Sequence, residues 1–169
     1  MSPGVLCAGS LNYDIVVRPF DSPQWGTTTF VDILDFQVGG NGANTALALS
    51  TLGIPTRLAG SIGRDEPARF LLGKLNAAGV DTRAVIPCAE TTSTTLVLIN
   101  SEGNRKFLNR PGSSALAFDA PIEFDQRLLD GISHFRLASS FTLPRRRHSA
   151  PETLRRARAA GLVTSLDTP

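Results

Sequence analysis

The sequence predicts an α/β protein, a mostly parallel sheet covered by helices. Three observations carry this. Short apolar runs that end in glycine or polar residues recur at 5–9, 56–62, 133–139 and 162–166. Stretches with apolar residues at helical spacing separate them, after Gly42, after Pro67 and around Glu152. Alternation of that kind builds a sheet with helices on its faces. The length of 169 residues suits one domain, and 41% hydrophobic residues suffice for a core.

Residues 5–9 form a buried strand that ends in glycine, and residues 15–17 resume strand character. Between them lie Asn12 and Asp14, which share parity on an extended segment. In open α/β sheets ligands bind outside the carboxyl ends of strands. A carboxylate beside an amide suits the hydroxyls of a polyol; the alternative is that Asp14 caps a turn or helix. Residues 18–26 are a loop with two prolines and the only tryptophan, Trp25. Residues 27–38, rich in Thr, Val, Ile and Phe, predict a strand leading into a glycine-rich turn.

That turn reads Gly39-Gly40-Asn41-Gly42-Ala43-Asn44. A helix follows, with Ala43, Ala46, Leu47, Leu49 and Leu52 at helical spacing, and Gly53-Ile54-Pro55 stops it. A glycine turn feeding a helix N-terminus presents free N–H groups and the positive end of a dipole, which suits an oxygen-rich or anionic ligand. Asn41 and Asn44 can both donate and accept hydrogen bonds. A dinucleotide fingerprint needs a third glycine where Thr45 stands, and no Gly-Lys-Ser/Thr of a P-loop occurs. A turn and capped helix without a ligand is the remaining reading.

Residues 56–62 predict a strand and Gly63-Arg64-Asp65 a turn, with Pro67 in the first turn of a helix ending at Gly79. Val80-Asp81-Thr82 connects to a strand at 85–86. Residues 91–99 are a Thr-rich strand, Ser101-Glu102-Gly103-Asn104 a turn, and 105–109 the return strand of a hairpin. Such a hairpin is either a lid over a ligand or a plain sheet edge. Arg110-Pro111-Gly112 closes it. A short helix at 124–131, a strand at 133–139 and a helix within 143–161 starting near Pro151 follow. The last strand, 162–166, ends at the border of the chain with no helix after it. The fold is therefore expected to be cut there, with an apolar edge exposed.

Net charge is +2, distributed as +4 from residue 141 onward and −2 before it. The late arginines lie on an amphipathic helix and predict a solvated face rather than a nucleic-acid surface. Cys7 and Cys88 are isolated, and His134 and His148 have no metal-binding spacing, so no metal site is expected. No signal peptide and no apolar run long enough for a membrane span is present, so the expected compartment is the cytosol.

The motifs together resemble the ribokinase-like (PfkB-type) family of carbohydrate and nucleoside kinases. Gly9-Ser10-Leu11-Asn12-Tyr13-Asp14 looks like the family's first strand with its substrate-binding Asp. Gly39-Gly40-Asn41-Gly42-Ala43-Asn44-Thr45-Ala46, with Leu52-Gly53, is similar to its N-terminal signature. Gly60 to Asp65, Gly79 to Thr82 and Ser165-Leu166-Asp167 match later segments in order. The resemblance covers the whole chain but about the first half of the family's length. It implies a Rossmann-like domain with a small β-sheet lid at about 15–17, 28–36, 94–99 and 106–109. It implies transfer of the ATP γ-phosphoryl group, with Mg2+, to a hydroxymethyl oxygen of a sugar, sugar acid or nucleoside. Asn12 and Asp14 would bind substrate hydroxyls, with Gly39, Gly40, Asn41 and Asn44 lining the pocket. Phe107 would cover the sugar and Arg110 would grip a carboxylate. A homodimer through the lid sheet is implied too. The family's catalytic Asp in a G-A-G-D motif, its anion hole and its ATP-binding segments have no counterpart here, so residues 1–169 alone are expected to be inactive. The neighbourhood of Ala138 and Ser139, where some relatives carry a carboxylate, is small and neutral. Two other functions fit the residues less fully: a non-catalytic polyol-binding or dimerising module, and a nucleotide-dependent oxidoreductase domain.

Overall fold

A computed structural model describes residues 3–139 and 144–167. The first layer is a five-stranded parallel sheet: β1 (Gly4–Ala8), β4 (Thr56–Ile62), β5 (Asp81–Pro87), β8 (Ile132–Leu137) and β9 (Val163–Leu166), in the order β5-β4-β1-β8-β9. Its central strands read as apolar runs because both faces are covered. On one face Cys7, Leu58, Ile62 and Val85 pack under α1 (Asn41–Thr51) and α2 (Glu66–Ala77), which contribute Ala43, Ala46, Leu71 and Leu75. On the other, Leu6, Ala8, Phe135 and Leu137 meet Ala150 and Ala157 of α4 (Pro144–Ala159) and Leu128 of α3 (Gln126–Leu129).

The second layer is a small four-stranded sheet, β3 (Ile33–Gly39), β2 (Asn12–Arg18), β6 (Ser93–Ile99) and β7 (Arg105–Arg110), in that order. β2 and β6 run parallel; the flanking pairs are antiparallel. The chain thus delivers the expected covered parallel sheet with a second small sheet.

Several boundaries differ from expectation. The strand expected at 27–38 begins only at Ile33, because its partner β2 ends at Arg18, paired with Ile33; the last bond of that edge runs from Asp32 N–H to the Arg18 carbonyl at 3.1 Å. β5 starts at Asp81 rather than residue 85, through parallel pairing with Arg57 of β4. The helix expected near Pro151 already runs from Pro144, so that proline lies inside it. Burial of Ser149, Ala150, Thr153 and Ala157 holds α4 together through the position that proline cannot bond. Leu143, the start of the expected range, lies outside the described residues. α3 is confined to four residues. β9 forms the sheet edge, with Val163 and Leu166 exposed, as expected. No helix among the described residues is long and apolar enough to cross a membrane.

Candidate functional site

The order β5-β4-β1-β8-β9 sends the chain to opposite sides of β1, so the topological switch point lies at the carboxyl ends of β1 and β8. Gly9-Ser10 leaves β1 there and Ala138-Ser139 leaves β8. The two serine hydroxyls meet between the strand ends at 2.9 Å, both buried. Ser139 adopts φ 62°, a left-handed conformation costly for a non-glycine residue, and its N–H donates to Asp167 Oδ1 at 2.9 Å. A carboxylate therefore does reach the small, neutral end of β8, from the neighbouring strand β9.

The glycine turn closes onto this junction. Gly40 caps α1 with φ 88° and ψ 136°, and its carbonyl accepts from Asn44 N–H at 2.8 Å. Asn41 N–H donates to Ser10 Oγ at 3.1 Å and Ala43 N–H to the Ser10 carbonyl at 3.1 Å. A Cβ on Gly42 would sit 2.6 Å from the Gly9 backbone, so the glycine there permits helix and strand to touch. The first-turn N–H groups that a phosphate would use are thus largely spent on Ser10. The turn is a packing joint whose exposed side chains, Asn41 and Asn44, face solvent, and it does not fit a nucleotide phosphate. Among the described residues no cluster of three His, Cys, Asp or Glu could hold a metal ion.

Strand pairing brings Asn12, Asp14 and Gly39 together. Asn12 pairs with Gly39 and Ser93, and Asp14 with Gln37 and Thr95. A Cβ on Gly39 would overlap the Asp14 carboxylate. Asp14 Oδ1 is buried without a hydrogen-bond partner. Burial pushes its pKa up to about 6, partly offset by the neighbouring Thr95 hydroxyl. That hydroxyl has one proton and a second acceptor, Asn109 Oδ1, at 3.0 Å. Donated to Asn109, it leaves Asp14 Oδ1 bare. Asn12 Nδ2 reaches the same hydroxyl at 3.4 Å.

Further along the same sheet face lies a cavity of about 300 Å3, lined by Asp14, Val16, Val97 and Phe107, with Arg18 and Arg105 at its far end. Phe107 therefore joins the expected cluster. Arg110 does not. β7 extends through Arg110, which pairs with Thr94 in the row of Tyr13, one residue out of phase with Asp14, Thr95 and Asn109. Ser10, Thr95 and Asn109 are not marked as ligand-binding by the sequence. The shared parity of Thr95 and Asn109 with Asp14 was readable only once the register was known.

The family model for pfkB family carbohydrate kinases matches residues 3–169. An ATP-dependent ribose-1-phosphate kinase of Halopiger xanaduensis is 30% identical over 164 residues, 96% of this chain and 53% of that protein. The chain thus spans about half the length of that curated relative. A ribokinase of Arabidopsis thaliana, solved with ribose and ATP, superposes with a TM-score of 0.80 at 24% identity, covering 99% of this chain and 54% of the other. A fructokinase of Xylella fastidiosa with bound ATP does so with a TM-score of 0.77 at 26% identity, covering 99% and 52%.

Proposed function

The chain belongs to the pfkB family of carbohydrate kinases, and from that premise we propose that it forms the acceptor-binding part of an ATP-dependent sugar kinase. The observation that carries this is the bare, buried Oδ1 of Asp14, a residue that lines a cavity of sugar size, with Asn12 two residues before it on β2. A buried acceptor without a donor is costly, and a substrate hydroxyl supplies that donor. Asn12 and Asp14 hold adjacent hydroxyls, Gly39 and Gly40 let the backbone close in, and Asn41 and Asn44 stand at the exposed turn. Phe107 covers the ring. An acidic sugar would find Arg18 and Arg105 in the same cavity, with Asp35 beside them, in place of Arg110. In this reading the small sheet is the lid, ATP with Mg2+ is the phosphoryl donor of the complete kinase, and the enzyme works in the cytosol. No residue of this chain is assigned to nucleotide or metal, since the α1 N-terminus is already occupied by Ser10.

The test is calorimetry of this chain with D-ribose, D-fructose and a 2-keto-3-deoxy sugar acid, without nucleotide. Saturable binding of one of them, lost in Asp14→Asn, is expected; no binding to any polyol overturns the reading. A coupled ATP-turnover assay on the same chain is expected to give no turnover.

The second reading, a dimerising module, is favoured by one observation. The opposite face of the small sheet carries Leu34, Phe36, Leu96 and Leu108, all exposed. A homodimer through that sheet is compatible with either reading.

A further inference from the structure

We propose that a second cavity, on the face of the parallel sheet away from α1 and α2, binds a small aromatic monoanion of the aryl carboxylate class. It shares no lining residue with the cavity beside Asp14, so the inference stands apart from the polyol reading.

The cavity measures about 510 Å3, within the range of small-molecule sites. Its floor is Ala59 and Ser61 of β4 with their register partners Ala84 and Ile86 of β5. These four share one face of the sheet, and the two alanines leave that surface low. Leu116, Phe118 and Ile122 line it from the chain that leads to α3. Ile86 is left 67% exposed, so the apolar lining is open to a ligand. Phe118 is held under strain there. Its φ is 64°, a left-handed conformation costly for an aromatic residue. Ser149 Oγ of α4 donates to its carbonyl at 2.9 Å and fixes the backbone in that state. Strain of this kind collects at ligand sites.

The charged lining gives the ligand its sign. Arg57, Arg83 and Arg127 stand against Asp119, Glu123 and Asp125. Several of these are already committed. Arg57 serves Asp81 and three carbonyls. Glu123 pairs with Arg156, and Asp125 caps α3 through Leu128 N–H at 2.7 Å. Arg83 spends its Nε on Asp81 and keeps its two terminal nitrogens. Among the described residues, neither the Arg127 guanidinium nor the Ser61 hydroxyl has a side-chain hydrogen bond or ion pair. Two guanidinium groups and a hydroxyl therefore remain as donors beside an apolar floor, and a planar carboxylate on an aromatic ring matches both. Asp119 adds a carboxylate to the same lining, so a polyphosphate would be repelled and a single negative charge is favoured.

The test is calorimetry of the full chain with 1-naphthoate, its neutral counterpart 1-naphthalenemethanol, and 1-naphthyl phosphate. The acid is expected to bind saturably, about tenfold more tightly than the alcohol and more tightly than the phosphate. Arg127→Gln keeps the backbone carbonyl that Arg57 uses and should bring acid and alcohol to equal affinity. Ala84→Phe fills the floor and should abolish binding of both. If that variant fails to fold, Ile86→Glu decides: Ile86 is exposed, and a carboxylate there should weaken the acid about tenfold and the alcohol far less. The apolar face of the small sheet offers the same probe another surface. Leu34→Lys with Leu108→Lys is the control for it and should leave naphthoate binding unchanged. Absence of naphthoate binding overturns the inference. So does equal affinity for acid and alcohol, a preference for the phosphate, an Arg127→Gln variant that keeps the preference for the acid, full binding in Ala84→Phe or Ile86→Glu, or loss of binding in the small-sheet control.

Discussion

Asp14 is held in a conflict that its function would explain. Its carboxylate is wedged against Gly39, and one oxygen is buried without a donor. Burial raises its pKa from 3.8 to about 6, so the folded state holds its proton more tightly than the unfolded chain. The folded protein then binds more protons than the unfolded one between about pH 4 and 6, and its stability falls as pH rises through that window. Above it the ionised carboxylate is a standing cost. Asp14→Asn is therefore expected to raise the melting temperature at pH 7.5, with the gain vanishing towards pH 4. Thermal melts across that range check it; an equal gain at both ends would show that charge is not the cause. Gly39→Ala makes the complementary point. Its Cβ would displace the carboxylate, so polyol binding should drop at least tenfold while the fold persists, as read by calorimetry and circular dichroism.

At the scale of elements, single polar side chains fix the joints between strands and helices. Asp65 caps α2 through Ala68 N–H at 3.1 Å and holds β6 through Thr92, by its N–H at 2.8 Å and its hydroxyl at 2.6 Å. Burial would raise the Asp65 pKa, but these bonds outweigh it and bring it below the ordinary value. Its contribution is therefore present at neutral pH and lost as pH falls through the lowered folded value. Asp65→Ala is expected to cost about 1–2 kcal/mol in urea unfolding at pH 7 and much less in acid. Arg57 is the larger joint. Nearly buried, it bonds Asp81 at 2.7 Å and the carbonyls of Arg127, Leu128 and Asp130, tying β4 and β5 to the end of α3. Arg57→Met leaves those acceptors unmatched and should cost about 3 kcal/mol, measured by the same method. A loss below 1 kcal/mol would mean that water replaces the guanidinium.

Across the whole molecule, the two sheets divide the work. The parallel sheet supplies the frame, with Ser10 and Ser139 joined at the ends of β1 and β8. The small sheet lays Asp14, Thr95 and Phe107 along one face and an apolar set along the other. Leu34 is 57% and Leu108 49% exposed on that second face, in a patch that a monomer would leave wet. The chain is expected to sediment as a dimer at micromolar concentration, and Leu34→Lys with Leu108→Lys to shift it to monomer. A monomeric unmodified chain would remove the dimer reading and leave the pocket untouched.

The sequence by itself determined the alternation of buried strands and helices, because strands covered on both faces need continuous apolar runs and the helices between them need 3.6-residue spacing. It also marked Asn12, Asp14 and the glycine turn, whose residue types are local signals. Only the tertiary structure decided the ends of β3, β5 and α4, since those depend on which partner strand or core face is available. It turned Arg110 away from Asp14, because one further residue of pairing in β7 sets the parity of the side chain. It showed the glycine turn as the joint between β1 and α1, because Ser10 arrives from β1 to take the Asn41 and Ala43 N–H groups. And it set Thr95 and Asn109 beside Asp14, since a cross-strand row exists only after the register has been set.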